Sequence, residues 1–99
     1  MTKQISKGHA SEILKKQILR SSISVALNYS ESKEAESVKD LIHKWKIALK
    51  ELRETHTNLR IIEKLELCDS VMSRPLLKET DELIRIFVSS VKKLRSRIP

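Results

Sequence analysis

Residues 37–64, which read SVKDLIHKWKIALKELRETHTNLRIIEK, carry the most regular pattern in the chain. Apolar or small residues recur at steps of three and four over about four heptads, the spacing of an amphipathic α-helix with one buried face. Ser37 precedes this pattern and Asp40 follows three residues later, which is typical of a helix N-terminus. The stretch therefore predicts a long helix, helix B, beginning at Ser37. Its predicted core positions are Val38, Leu41, Ile42, Trp45, Ala48, Leu49, Leu52, Thr55, Leu59 and Ile62.

A second helical pattern lies on each side of helix B. Residues 12–28 predict helix A with Ser11 as its N-cap, and the polar residues 30–36 predict a connector. Proline is tolerated in a first helical turn, so Pro75 predicts that helix C begins near Ser73. The apolar positions are Ile13, Leu14, Ile18, Leu19, Ile23, Ala26 and Leu27 in helix A, and Leu76, Thr80, Leu83, Phe87, Val91, Leu94 and Ile98 in helix C. Short connectors make consecutive helices antiparallel, so we expect an all-α fold, an up-and-down antiparallel helix bundle with three long helices.

The composition agrees with a small helical protein. The chain has 99 residues with 33% charged residues, 3% aromatic residues and one glycine, which leaves room for one domain and disfavours strands and phosphate-cradling loops. We expect a short N-terminal segment, residues 1–11, and a single helical bundle domain, residues 12–99. The lone Cys68, predicted to be half-buried, has no partner for an internal disulfide, and no apolar run is long enough to span a bilayer. A soluble cytoplasmic protein is the prediction.

Residue patterns typical of catalysis or cofactor binding do not occur. The histidines His9, His43 and His56 have no second ligand at a metal-binding spacing. The serines of helix A, Ser21, Ser22 and Ser24, have no local activating base, and we interpret them as residues that permit close helix packing. We therefore predict no catalytic residue, no metal and no cofactor.

The outward positions of helix B form a basic stripe. They hold Lys39, His43, Lys46, Lys50, Arg53, Thr57, Arg60 and Lys64. Together with a formal net charge of +7, this stripe favours contact with the phosphates of a nucleic acid. The predicted contact residues are Lys46, Lys50, Arg53, Arg60 and Lys64, here called the basic ridge. The alternative is an ordinary solvated helix face, whose field is weakened if the flanking acids Asp40, Glu51, Glu54 and Glu63 pair with these bases.

Three segments carry a resemblance to a known family: QILRSSISVALNYSE at 17–31, KDLIHKWKIALKELRETHTNLRIIE at 39–63 and DELIRIFVSSVKKL at 81–94. Over residues 16–94 the chain resembles bacterial four-helix bundle proteins, which include the proteins encoded in intervening sequences of large-subunit ribosomal RNA genes. The resemblance implies an all-helical bundle without catalytic activity and ring-like pentamers. Relatives that accompany diversity-generating reverse transcriptases are basic and engage nucleic acid. Asn28, Tyr29 and Glu31 match the family signature, and we expect their role to be structural, closing helix A.

The same resemblance places a further helix ahead of helix A. Only residues 1–11 precede helix A here, so the family's first helix is predicted to be missing or shortened. The groove that it would cover must then be filled by a partner or left exposed. We expect a homo-oligomer. The resemblance implies a pentamer, and the missing helix argues against that geometry. The alternative function is a protein interaction or assembly module, with a protein partner in the groove between helices A and C.

Overall fold

The computed structural model describes residues 7–98 of the chain. They form three α-helices: α1, Lys7–Ser32; α2, Val38–Lys64; and α3, Ser70–Arg95. No strand occurs among these residues. The predicted all-α class with three long helices is confirmed. Within the described range, none of the helices combines the length and the apolar character needed to cross a membrane.

The predicted start of α2 is confirmed in detail. The Ser37 hydroxyl oxygen accepts a hydrogen bond from the backbone N–H of Asp40 at 3.1 Å. The Asp40 carboxylate in turn accepts from the backbone N–H of Glu36 at 3.3 Å. Two backbone donors at the helix start are therefore satisfied by side chains. The arrangement differs from a capping box in that Asp40 accepts from the residue before the cap.

The predicted bounds of helix A are wrong at both ends. α1 begins at Lys7 instead of Glu12 and ends at Ser32 instead of Asn28, so Ser11 lies inside the helix and is not its N-cap. A glycine inside a helix costs only about 1 kcal/mol relative to alanine, so Gly8 does not stop the helix. The connector is correspondingly shorter, residues 33–37.

The start of α3 is also earlier than predicted. Asp69, not Ser73, is the N-cap, and its carboxylate accepts from the backbone N–H of Val71 at 3.0 Å. Pro75 therefore lies inside the helix, where it removes one backbone hydrogen bond to the Val71 carbonyl. Ser73 is a buried residue of α3 instead of its cap.

α2 ends in a left-handed residue. Glu66 has φ of +53°, and the N–H groups of Glu66 and Leu67 donate to the carbonyls of Glu63 and Ile62 at 3.1 and 3.0 Å. This is the hydrogen-bond pattern of a Schellman motif, in which glycine is the usual residue at the left-handed position.

α2 is the central helix of the fold. Arg20 of α1 pairs with Glu51 and Glu54, and Glu31 pairs with Lys44, so α1 and α2 run antiparallel. α2 and α3 are also antiparallel, because Trp45 contacts Phe87 and Glu63 pairs with Arg74. No Cα atom of α1 lies within 8 Å of one in α3 among residues 7–98. The described helices are thus arranged up and down, with α1 and α3 joined only through α2 and the core.

The core confirms the heptad pattern of α2. Ala48, Leu52 and Phe87 are buried together, and half-buried apolar residues of all three helices, among them Val25 and Ile84, pack against them. Trp45 lies between two other rings, with centroids 6.4 Å from Tyr29 and 5.2 Å from Phe87. All ten predicted core positions of α2 are buried or half-buried. In α3, by contrast, the predicted core residues Leu76 and Leu83 are exposed.

The packed face of α1 differs from the prediction. Five of the predicted apolar positions, Ile13, Leu19, Ile23, Ala26 and Leu27, are exposed. Ser21 is fully buried instead, and its hydroxyl oxygen lies 2.5 Å from that of Thr55 in α2. This confirms a packing role for Ser21. Small hydroxyl residues let the two helices approach closely. The predicted apolar positions Leu14 and Ile18 are half-buried as well, so the packed face of α1 mixes hydroxyl and apolar residues while a second apolar face is left exposed.

Candidate nucleic-acid interface

The five residues of the basic ridge all lie on the solvent side of α2. Each is exposed, and so are the other members of the basic stripe, from Lys39 to Lys64. At a rise of about 1.5 Å per residue, the ridge extends about 27 Å from Lys46 to Lys64. The structure therefore brings the predicted contact residues together on one surface.

Within the described helices, the flanking acids do not form ion pairs with the ridge bases, contrary to the alternative interpretation of the sequence. Glu51 and Glu54 accept from the Arg20 guanidinium of α1 at 3.3 and 2.7 Å. Glu63 pairs with Arg74 of α3 at 3.7 Å, while Asp40 caps the start of α2. None of the five ridge residues forms an ion pair within residues 7–98. Three of the four acids are paired with bases of neighbouring helices and the fourth accepts a backbone hydrogen bond, so no ridge base is held in an ion pair with them.

The Arg20 contacts shift the ionisation of both partners. The hydrogen bond from Arg20 is the largest cause that lowers the pKa of Glu54 below its ordinary value of 4.5, and the nearby Lys50 charge adds to the shift. The same hydrogen bond, together with the charge of Glu51, raises the pKa of Arg20. Both groups therefore stay ionised at neutral pH, and the pair ties α1 to α2 beside the ridge.

Two surface depressions follow the ridge on opposite sides. The first lies between α1 and α2 and is lined by Gln17, His43, Lys46, Ile47, Leu49, Lys50, Arg53, Glu54, Thr57 and Asn58. The second lies between α2 and α3 and is lined by His56, Thr57, Arg60, Ile61, Glu63, Lys64, Leu77 and Lys78. Thr57 borders both depressions. The ridge residues are thus divided into two groups, each beside its own shallow concave surface.

Lys78 of α3 is a base at this surface that the sequence reasoning missed. It is exposed and lines the second depression with Arg60 and Lys64. The helix B pattern could not include it, because its proximity depends on how α3 packs against α2. The signal in the sequence is indirect: the antiparallel order that brings Trp45 to Phe87 also brings residues near 60 to residues near 77.

Comparison with known proteins assigns the family. The model of the 23S rRNA-intervening sequence protein family matches residues 1–89. The chain belongs to this family. The match begins at residue 1, well ahead of residue 16, where the resemblance in sequence starts. No curated protein matches the chain.

A solved structure supports the same fold for this family member. It is a crystal structure of a protein of unknown function from the S23 ribosomal protein family of Bacteroides thetaiotaomicron. The two sequences are 32% identical, and the alignment covers 81% of this chain and 74% of that chain with a TM-score of 0.77. Both the fold and the family assignment are therefore consistent with the resemblance in sequence.

The three signature residues do not form a common site. Asn28 donates to the Ser24 carbonyl within α1 at 2.9 Å, and Tyr29 packs its ring against Trp45. Glu31 pairs with Lys44 of α2 at 2.9 Å, and this hydrogen bond raises the pKa of Lys44. Their contacts lie within α1 and between α1 and α2. Asn28 does not close the helix as predicted, because α1 continues to Ser32 and the Asn28 side chain bonds within it. The N–H groups of residues 33–35 donate to carbonyls of the last helical turn.

The remaining candidate chemistry stays scattered. Within residues 7–98, no three or more His, Cys, Asp and Glu side chains are grouped as metal ligands. His43 and His56 line the two depressions, and Cys68 is exposed in the α2–α3 connector instead of half-buried. The geometry that stands out is therefore the basic surface of α2 and its borders.

Proposed function

We propose that this member of the 23S rRNA-intervening sequence protein family is a non-enzymatic helical bundle protein that binds nucleic acid through phosphate contacts of the basic ridge. The observation that carries the proposal is the pairing of the flanking acids with Arg20 and Arg74, which leaves the ridge bases available. A line of lysine and arginine side chains about 27 Å long can meet several phosphates and release their counterions.

The scarcity of exposed aromatic side chains argues for a structured nucleic acid as the ligand. The described aromatic residues are Tyr29, Trp45 and Phe87, and the rings of Tyr29 and Phe87 each contact Trp45. Tyr29 alone among them is exposed, and the Lys33 ammonium lies 5.2 Å from its ring centroid. Proteins that bind single strands without sequence preference usually stack bases on exposed aromatic side chains. Recognition by this surface is therefore led by phosphate positions, as on structured RNA or duplex DNA.

The test is fluorescence-anisotropy binding of the purified chain to a labelled RNA hairpin and a labelled DNA duplex, from low to physiological salt. Micromolar or tighter binding at physiological salt is the expected result. The double variant Lys50→Glu and Arg53→Glu should weaken binding to all sequences alike and lower the logarithmic salt slope by about 2. Lys15→Glu with Lys16→Glu on α1 changes the net charge equally and is the matched control. Loss of binding above low salt, or equal effects of both double variants, would refute the proposal.

A second candidate function is self-assembly through the apolar face of the bundle. Leu19 and Leu27 of α1 are 62% and 57% exposed, and Ile86 of α3 is 57% exposed. Exposed large apolar side chains of this kind favour an interaction surface. We propose a second copy of the chain as the occupant. Sedimentation velocity over a range of concentrations tests this, with Leu19→Ser plus Leu27→Ser expected to shift the protein towards the monomer. A wild type that sediments as a monomer at all concentrations would exclude assembly.

A protein partner in the groove between α1 and α3 should be tested by substitution of exposed residues. Ile18 and Phe87 are predicted apolar positions of helices A and C, but Phe87 is only 8% exposed and packs on Trp45, while Ile18 is half-buried. Substitution of Phe87 would disrupt the core itself. The exposed residues of α1 and α3 are therefore the informative positions.

A further inference from the structure

The basic surface is divided into two clusters by a neutral gap. The first cluster consists of Lys46, Lys50 and Arg53, and the second consists of Arg60, Lys64 and Lys78. Between Arg53 and Arg60, Thr57 is the one exposed residue of α2, and it is uncharged. Seven residues separate Arg53 from Arg60, which corresponds to about 10.5 Å along the helix axis.

Each cluster widens sideways in a different direction. The depression beside the first cluster opens towards α1, where Gln17 adds a polar group, and Asn58 of α2 adds another. The carboxylate that borders this depression, Glu54, is paired with Arg20. The depression beside the second cluster opens towards α3, where Lys78 adds a charge. The carboxylate that borders this second depression, Glu63, is paired with Arg74. The polar surface beside each cluster is thus broader than a single row of side chains, and at the second cluster Lys78 makes it broader in charge as well.

This arrangement fits two phosphate strands that cross α2, not one strand that runs along it. A single strand laid along the helix would pass the neutral gap at Thr57 without a basic partner for about two helical turns. Two strands on either side of a nucleic acid groove instead require two groups of positive charges with an uncharged gap between them. The gap of about 10.5 Å is close to the width of the B-DNA major groove, about 12 Å.

We propose that the two clusters hold the two strands of a double-stranded nucleic acid on either side of one groove, and that Lys78 is part of the second strand site. The proposal rests on the proposed function, since it specifies the kind of nucleic acid and how it lies. Its chemistry is that of a duplex phosphate backbone, which DNA and RNA share, and the experiment separates the two.

The first experiment measures binding of the wild-type chain, by anisotropy against salt, to a DNA duplex, an RNA duplex of the same sequence and the separated strands. Duplex binding at least tenfold tighter than strand binding is expected. Equal affinity for separated strands overturns the two-strand proposal but leaves the proposed function intact. No binding to any of them at physiological salt overturns both. The preference between the two duplexes identifies the source of the phosphate backbone.

The second experiment tests the clusters separately. Lys78→Glu should weaken duplex binding several-fold and lower the salt slope by about 1, as Lys64→Glu should, whereas Lys15→Glu on α1 is the control of equal charge. A duplex in which uncharged methylphosphonates replace the phosphates on one side of the groove should lose affinity whichever strand is neutralised. If Lys78→Glu behaves like Lys15→Glu, or if only one strand matters, the two-strand arrangement is wrong.

Discussion

The hydroxyl pair of Ser21 and Thr55 tests which face of α1 packs on α2. Both side chains are buried, and their oxygen atoms lie 2.5 Å apart. The Ser21 oxygen is also 3.2 Å from the Ile18 carbonyl, and the Thr55 oxygen is 3.1 Å from the Glu51 carbonyl. The two hydroxyl groups have two hydrogen atoms for three possible hydrogen bonds. One hydroxyl therefore donates to the other between the helices, while that other hydroxyl donates to a carbonyl of its own helix.

The expected free energies follow from this geometry. Ser21→Ala removes the bond between the helices but leaves Thr55 to donate to Glu51, and Thr55→Val leaves Ser21 to donate to Ile18. Neither variant leaves a buried hydroxyl unsatisfied, so each should lower the free energy of unfolding by about 1 kcal/mol, the net value of one hydrogen bond. Because both variants remove the same bond, the double variant should also lose about 1 kcal/mol, not about 2.

Urea unfolding of the four proteins, followed by circular dichroism at constant protein concentration, gives this coupling directly. Ser22→Ala is the matched control, because Ser22 is the exposed neighbour and should change stability by less than about 0.5 kcal/mol. Ser21→Leu should destabilise by about 1–3 kcal/mol, since the site has no room for a larger side chain. Additive losses in the double variant, or a stable Ser21→Leu protein, would show that α1 packs with its apolar face instead.

Three further predictions concern other parts of the fold. Phe87→Ala should lower the free energy of unfolding by about 3–5 kcal/mol, because it empties the core beside the Trp45 ring, and a melting temperature close to wild type would contradict this. Glu66→Gly should stabilise the protein by about 1 kcal/mol in urea unfolding, because the left-handed conformation is strained for residues other than glycine, and a loss of stability would argue against the observed turn. Arg20→Met should reduce the loss of unfolding free energy that accompanies a fall in pH below about 4.5. The pKa of Glu54 is lowered in the folded state, so its contribution is present above 4.5 and is lost as the pH falls through the folded pKa. Urea midpoints from about pH 6 to about pH 3 that fall equally in both proteins would refute it.

The helices were predictable where several signals agree. In α2 the heptad pattern, the Ser37 cap and the first-turn Asp40 all indicate the same element, and the structure confirms each of them. Helix ends were less predictable, because they depend on small differences between competing residues. The single glycine, Gly8, lies within α1, whereas the turn that favours glycine carries Glu66. Asp69 competes successfully with Ser73 as a cap, even though this places Pro75 inside the helix.

The orientation of α1 could not be predicted from hydrophobic periodicity because apolar residues occur on several sides of this helix. Counting large apolar side chains selects Leu19, Ile23 and Leu27, which the structure leaves exposed. The less exposed residues of α1 recur at the alternating steps of four and three that a packed face requires, and only the first two of them are among the predicted apolar positions: Leu14, Ile18, Ser21, Val25, Asn28 and Ser32. Small and polar residues at that step identify a close helix contact only when the partner, here Thr55, is known.

The candidate site was also predictable only in part: the sequence indicates which bases share a helix face, but not which side chains of other helices lie beside them. The bases of α2 were readable from the sequence, because a helix of known period fixes which side chains share its outer face. Whether that face keeps its charge depends on the neighbouring helices: Arg20 of α1 and Arg74 of α3 take up the acids that would otherwise lie beside the ridge bases. The second cluster likewise exists only because α3 places Lys78 beside Arg60 and Lys64. The basic surface is therefore a property of all three helices, and a variant that removes Arg20 should weaken nucleic-acid binding twice over, by losing one positive charge and by freeing two carboxylates next to the ridge.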